Sequence, residues 1–549
     1  MAATLIPRSD LADAALRELA RRKVLEKGLT TQRSAEDQAV WESCKDLEHF
    51  AQEFFPHLCS DPFSSMHAEM FARDRANHGK RDLREATAAP RGSAKTTHRG
   101  FIKVIQDTVY GWERFTAIFS HTASLSSDRV KQIRDELETN QPLIRVYGRQ
   151  VGPLWNHGDI ITCHGIRVKA ASPGSQLRGI LQKGSRLTKI LLDDFENPEH
   201  VLSELQRMKT SQRFFADIMK LGQPGTNVEI IGTILHPQSL LAGLLQNPGF
   251  TSYKYRAVLQ FPTAEALPLW QEWRAIFVDL SNPQRQEEAR AFYEAHEDVM
   301  LQGTQVLWPE RESYYDLMVM RLVEGESAFW LEKQNDPLGD TAYLFHMQDA
   351  AYCTITPMGI VRAGGTLVPW TDIIAFCMAY DPTPPKDALR ESDYAAVPVL
   401  AQDRTGYLYL VDTYLKREPS SEAQLQAIAD LAWRWDCTLL SVEANGFASL
   451  LPANIRETIK ARALQEQTPE FELLIVPLVN TRSKILRIKS LETLVQNGWL
   501  QFATTLPAEA MRQFAEFIPL EGAGHDDFPD SVEMAVRTIR HQWAKRDIT

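Results

Sequence analysis

The ten residues Ala88-Ala89-Pro90-Arg91-Gly92-Ser93-Ala94-Lys95-Thr96-Thr97 finish a β-like run, Arg84–Ala89, and open a helix-compatible stretch. This segment constrains the fold more than any other. A loop of small residues ending in a lysine and two hydroxyls turns its N–H groups inward only where a strand delivers it and a helix N-terminus carries the chain away. Such a loop suits a nucleotide. Its N–H groups cradle phosphates, its lysine reaches the β and γ oxygens, and its hydroxyl meets Mg²⁺. Lys95 and Thr96 supply the last two, so Pro90, Arg91, Gly92, Ser93, Ala94, Lys95, Thr96 and Thr97 form the candidate ATP cradle. Ala89 and Ala94 stand where G-x-x-x-x-G-K-[ST] has glycine, which leaves Gly92 and Ser93 to make the tight turn.

The surrounding chain has the α/β rhythm this loop requires. Between Leu83 and about Leu241, the short apolar runs Arg84–Ala89, Phe115–Ser120, Lys189–Leu192 and Val228–Thr233 alternate with polar helical stretches, a pattern that predicts a parallel sheet with crossover helices. Residues 1–60 read as a helical lead-in, with Leu11, Ala15 and Leu19 on one face. The first domain is expected over 61–350, including a helical, tryptophan-rich subregion at 265–345 that fills a core. Tyr352–Pro369, rich in Gly, Thr and Pro, reads as a linker or an edge hairpin, and the linker is placed at 351–372. A second α/β domain follows over 373–549, with runs at Ile373–Tyr380, Ala395–Ala401, Tyr407–Asp412 and Thr438–Val442.

With 549 residues, 44% hydrophobic and 24% charged, the chain has room for several cores and is not a disordered or low-complexity polymer. Its net charge of −11 opposes wholesale coating by nucleic acid and leaves room only for a local basic channel. The six cysteines are scattered without zinc spacing, which fits a reducing compartment, and no run approaches the length of a membrane span. A cytosolic protein without a signal peptide is expected.

Two acidic constellations follow. Lys189-Ile190-Leu191-Leu192-Asp193-Asp194-Phe195-Glu196 is an apolar strand ending in acids, which puts Asp193 where it can hold Mg²⁺ and Asp194 or Glu196 where either can activate water. Arg91 and Arg178 are the two candidates for a cation at the γ-phosphate, and the strand tip Gly232-Thr233, ahead of His236, is placed to sense it. Farther on, Asp381 and Glu443 each close an apolar run, while Asp526, Asp527 and Asp530 open a helix-like stretch, Ser531–His541. Acids converging from separate elements suit two-metal hydrolysis of a phosphodiester; Asp393 is a further candidate. Arg482, Lys484, Arg487 and Lys489, interleaved with apolar residues, form a stripe that could track a phosphate backbone.

Taken together, the arginine-bearing loop, Asp193-Asp194, Gly232-Thr233 and the C-terminal acids resemble the large terminase subunit of tailed bacteriophages over roughly residues 45–545. The resemblance implies an N-terminal ATPase of the additional-strand P-loop class and an RNase H-like nuclease. Together these would drive double-stranded DNA into a procapsid and cut the concatemer. It implies phosphate and Mg²⁺ contacts for Lys95 and Thr96, a metal-holding role for Asp193, coupling by Gly232-Thr233, an adenine-side segment at Phe63–Phe71, and nuclease metal ligands among Asp381, Glu443, Asp526 and Asp527, with Mg²⁺ replaceable by Mn²⁺. It also implies a small terminase subunit, a portal protein and a ring of copies as partners, and the host cytoplasm as location. A DNA-repair helicase-nuclease and a non-catalytic portal-docking protein with a nucleotide switch are the alternatives.

Overall fold

A computed structural model describes residues 33–175, 181–337, 343–382, 394–417, 420–443, 451–465, 472–519 and 525–546. The chain folds as two units: residues 1–261 with 304–317 and 328–339, and residues 262–303 with 318–327 and 340–549.

The first unit is built on eight strands: β1 (Arg84–Ala88), β2 (Phe115–Phe119), β3 (Leu154–Trp155), β4 (Asp159–Ile161), β5 (Arg167–Ala171), β6 (Leu187–Asp193), β7 (Gly222–Gly232) and β8 (Thr251–Lys254). They lie in the order β3-β4-β5-β2-β6-β7-β1-β8. β2 and β6 are buried along their whole length, which is why they read as largely apolar runs, with Lys189 the charged exception: helices cover both faces. β7 lies between β1 and β6 and is parallel to both, with Ala88 opposite Gly232 and Asp193 opposite Ile231. This inserted strand makes the unit an additional-strand P-loop fold, and it brings the ends of β1, β6 and β7 to one edge of the sheet. β7 begins six residues before the expected Val228, because Thr226 Oγ bonds the Leu187 carbonyl at 2.7 Å and pins a Gly/Pro-rich segment in register.

Residues 33–60 are not a separate lead-in. The helices Ala35–Ser43 and Leu47–Phe54, capped by Ser34 and Asp46, press Phe50 and Phe54 against Tyr147 and join the core that holds Ile118 and Val168. The first part of the expected lead-in, with Leu11, Ala15 and Leu19, lies outside the described residues. A short antiparallel ribbon, β9 (Val258–Gln260) with β10 (Gln305–Val306), also belongs to this unit.

The second unit carries nine strands: β11 (Tyr352–Thr356), β12 (Gly359–Val361), β13 (Leu367–Pro369), β14 (Ile373–Tyr380), β15 (Ala395–Asp403), β16 (Leu408–Lys416), β17 (Leu439–Glu443), β18 (Leu474–Leu478) and β19 (Leu500–Ala503). Their order is β13-β12-β11-β19-β16-β15-β14-β17-β18. β14, β15 and β16 form an antiparallel meander, and β17 and β18 continue from β14 in parallel, the RNase H-like arrangement. The helix Asp527–Arg546 packs on β14 and β15 and buries Phe528, Val532, Ala535 and Ile539 at helical spacing.

Two expected boundaries need correction. Residues 351–372 are not a linker: Tyr352 pairs with Phe502, and β11–β13 extend the sheet as an edge hairpin. The tryptophan-rich helices Leu267–Val278 and Arg285–Met300 belong to the second unit instead of the first. Trp499 Nε1 donates to Val278 O at 2.7 Å and Leu280 joins the core under β14–β17. Among the described residues no helix is long and apolar enough to cross a membrane.

Candidate active sites

The phosphate loop leaves β1 at Ala88 and turns through Gly92 (φ +84°) and Ala94 (φ +56°) before Lys95 starts the next helix. Two left-handed residues bracket Ser93, whose N–H closes the turn on Pro90 O at 3.3 Å, the kind of tight turn whose neighbouring N–H groups can line an anion-binding concavity. Three of the loop's carbonyls are individually held, one from within the loop and two from outside it. Pro90 O accepts from Ser93 Oγ at 2.7 Å and Lys95 Nζ at 3.4 Å, Arg91 O accepts from Lys333 Nζ at 3.0 Å, and Ser93 O accepts from His67 Nε2 at 3.0 Å. Because the Ser64 N–H donates to His67 Nδ1, the imidazole carries its single proton on Nε2; burial pushes its pKa down to about 4. Thr97 is half-buried one residue beyond Thr96.

Lys95 Nζ also reaches Thr233 Oγ at 3.3 Å, so the lysine lies between the loop and the tip of β7. Burial lowers its pKa, and the facing carboxylates of Asp194 and Asp193 work against that. Thr96 Oγ donates to Asp193 Oδ1 at 2.8 Å, which places hydroxyl and carboxylate together as a Mg²⁺ would need them. Burial, then the neighbouring Asp194, pushes Asp193 up to about 6, with Arg129, Thr96 and Lys95 pulling it down. A carboxylate at this cost is one that a cation would stabilise.

Asp194 is exposed at φ +44°, its carbonyl accepting from His121 and its Oδ1 directed toward Gly232. Glu196 is engaged elsewhere. Its oxygens accept from Leu240 N at 2.7 Å and Leu241 N at 3.0 Å, capping the helix Leu240–Leu245, so of the two water-activating candidates only Asp194 faces Lys95. Arg91 is 72% exposed in its side chain and pairs with Glu332 at 2.8 Å; Arg178 lies outside the described residues.

Three contributors were missed in the sequence. Arg129, from the helix Ala123–Thr139, lies 3.8 Å from Asp193 Oδ2. A Cβ at Gly100 would stand 2.9 Å from the same Oδ2, so only glycine lets this helix approach so closely. Below the loop, Arg99 is enclosed by Asp74, Glu85 and Glu229, while Lys189 bridges Asp107 and Glu229 at 3.1 and 3.2 Å. That network joins the loop's helix to β1, β6 and β7. Attraction to Arg99 and Lys189 outweighs burial and holds Glu229 down at about 2.

In the second unit, Asp381 directly follows β14 and faces Glu443, the last residue of the adjacent β17. Desolvation, then the facing Glu443, pushes Asp381 well above the usual carboxylate range. Two acids facing each other at parallel strand ends suit a divalent cation, whose charge would offset their mutual repulsion. Asp530, from the first turn of its helix, is raised to about 7, chiefly by burial and despite Arg487 and Lys484; its Oδ1 is buried without a partner. Asn480 Nδ2 holds Glu443 at 2.9 Å, and Arg537 holds Asn480 at 2.7 Å, two supports the sequence did not reveal.

Asp526 and Asp527 are placed differently. Lys484 Nζ bridges them at 2.7 and 3.1 Å. Burial disfavours the Lys484 charge, but Asp526, Asp527 and Asp381 together overcome it and raise its pKa. Among the described residues no set of three or more His, Cys, Asp or Glu side chains is arranged to hold a metal ion as it stands; what converges is the Asp381–Glu443 pair with Asp530 alongside. Asp393 lies outside the described residues.

The expected basic stripe divides. Arg487 is buried and pairs with Asp530 at 2.8 Å, and Lys484 turns to the acids, so neither lies along an exposed phosphate track. Arg482 is exposed and Lys489 half-buried.

An additional-strand P-loop unit followed by an RNase H-like unit defines an α/β chain with a nucleotide-type cradle in one half and paired strand-end acids in the other. No protein-family model matches the sequence, and no curated protein does. Among solved structures, the chain is similar to the large terminase of a thermophilic bacteriophage in complex with ADP, at 10% identity over 87% of this chain and 100% of that one, with a TM-score of 0.39. It is also similar to the human cytomegalovirus terminase nuclease domain soaked with manganese (13% identity, 31% of this chain, 86% of that one, TM-score 0.23). The large terminase nuclease of thermophilic phage G20c is a further likeness (14%, 36%, 98%, TM-score 0.24).

Proposed function

We propose that the chain is an ATP-driven DNA-packaging motor subunit that also cuts DNA by divalent-ion chemistry. The observation that carries this reading is the Lys95–Thr96–Asp193 arrangement at the ends of β1 and β6, in the same chain as the Asp381–Glu443 pair at the ends of β14 and β17. When bound, MgATP supplies the phosphoryl group and its charge-neutralising cation. The chain's own groups do the rest. Loop N–H groups and Lys95 hold the phosphates, Thr96 and Asp193 would hold Mg²⁺, and exposed Asp194 takes the proton of the attacking water. Thr233, bonded to Lys95, ties the loop to the end of β7.

In the second unit Asp381, Glu443 and Asp530 would hold Mg²⁺ or Mn²⁺, whose chemistry is to activate water and stabilise the leaving oxygen. Lys484 holds Asp526 and Asp527 beside them and offers a cation to the scissile phosphate. Double-stranded DNA, a small terminase subunit, a portal protein and further copies in a ring are the partners in this reading, and the host cytoplasm is the place.

Reciprocal substitutions test it. Lys95→Ala is expected to lower ATP turnover by about 100-fold or more while plasmid cleavage persists, and Asp381→Ala is expected to do the reverse. If both variants keep both activities, the reading is wrong. Strand separation of a forked duplex without packaging would instead favour a helicase-nuclease.

A further inference from the structure

The segment Phe329–Asn335 grips the phosphate loop from outside. Arg91 N donates to Glu332 O at 2.9 Å, and the Arg91 guanidinium pairs with the Glu332 carboxylate at 2.8 Å. Next along, Lys333 Nζ donates to Arg91 O at 3.0 Å and to Glu312 at 2.6 Å, and stands 3.7 Å from where a Cβ on Gly92 would lie. Asn335, fully buried at φ +52°, accepts from Ile234 N at 3.0 Å, the residue after Thr233, and donates to Tyr255 O at 2.9 Å. Phe329–Lys333 is a π-helical turn, a geometry concentrated at functional sites, and Asn335 holds a left-handed conformation away from any glycine. One short stretch therefore bonds both the loop that would receive the phosphates and the exit of β7.

The two charged contacts differ in kind. The Arg91–Glu332 pair is open to water, with 72% of the arginine side chain exposed, and is therefore weak and screened. The Lys333 side chain is only 10% exposed and its ammonium is shared between a backbone carbonyl and Glu312. A triphosphate entering the loop brings several anionic oxygens that outcompete a single carboxylate for the exposed Arg91, but nothing in its approach releases Lys333.

We propose that Glu332 and Lys333 are positioning residues for the phosphate loop. Glu332 parks the Arg91 guanidinium off the loop and gives it up to the nucleotide, and Lys333 keeps the Arg91 carbonyl turned outward in both states. This rests on the reading of the loop as an ATP site.

The test uses the full chain, with a fluorescent ATP analogue titrated by anisotropy and amide exchange followed over 90–97 and 329–335. Glu332→Gln keeps the backbone contact and removes the competing charge, so it is expected to bind the analogue about two- to fivefold more tightly. Lys333→Met is expected to weaken binding about tenfold and speed exchange in the loop, and Lys333→Arg to restore most of both. Equal or weaker binding by a normally folded Glu332→Gln overturns the proposal even if Lys333→Met fails to fold. Binding by neither wild type nor variants overturns the ATP-site reading along with it.

Discussion

Ala94 occupies a backbone position that glycine usually holds: at φ +56° its Cβ crowds the following carbonyl, a strain of about 1–2 kcal/mol. The loop keeps its turn because Gly92 bears the other positive φ and three loop carbonyls are tied down. Ala94→Val, which adds a branched side chain at that φ, is expected to cost about 1–3 kcal/mol in denaturant unfolding and to weaken nucleotide binding. Ala94→Gly should leave stability within about 1 kcal/mol of the parent, because relief of strain and the added freedom of the unfolded chain oppose each other.

His67 gives a pH signature. Its folded pKa of about 4 lies below the 6.5 of a free imidazole, so between these values the unfolded chain takes up a proton that the folded one refuses. Stability therefore falls as pH drops from 6.5 toward 4, by up to about 3 kcal/mol. His67→Gln, which can still donate to Ser93 O, should remove the share of that slope due to His67 and leave the share of the neighbouring His98, which burial likewise holds down at about 3. An unchanged slope would show that the imidazole is not held neutral. Lys95 with Thr96 and Asp193 with Asp194 were legible as candidates because in each of the two stretches chemistry and spacing coincide locally. Arg129, Glu332 and Lys333 were not, since Glu332 meets Arg91 across 241 positions and a surface arginine reads the same whatever it faces.

At the scale of elements, the parallel strands were readable because burial on both faces writes a short apolar run, as in Ile190–Leu192 of β6 and Cys377–Tyr380 of β14. The hairpin Tyr352–Pro369 was readable only as one of two alternatives, since Gly, Thr and Pro mark an edge ribbon and a linker alike and the strand it joins, β19, lies more than a hundred residues away. Charge was misread for a similar reason. Arg487 sits in a sequence that looks like a solvated helix face, yet its partner Asp530 faces inward from another helix. The same holds for Arg99, whose three carboxylates come from a helix and two strands. Removing that guanidinium leaves buried acids uncompensated, so Arg99→Met is expected to cost about 3–5 kcal/mol in chemical denaturation. A loss below about 1 kcal/mol would mean that the network is hydrated and does not bind the phosphate-loop helix to β1 and β7.

At the scale of the whole molecule, two units built on different sheets each bring acids to the carboxyl ends of parallel strands, where open α/β sheets place their chemistry. The alternation of strands and helices was enough to expect two such units. It was not enough to assign the helices at 267–300, because which core a helix joins depends on partners such as Trp499 that lie about 200 residues downstream. The central claim is that one chain holds two divalent-ion centres, each with its own reaction. Its most direct measurement is an anomalous-difference map from crystals of the full chain soaked with Mn²⁺ and a non-hydrolysable ATP analogue. The account predicts manganese against Thr96 and Asp193, and separately manganese bound by Asp381 and Glu443. Manganese at the phosphate loop with none at the Asp381–Glu443 pair, under conditions where the crystals stay ordered, would contradict it.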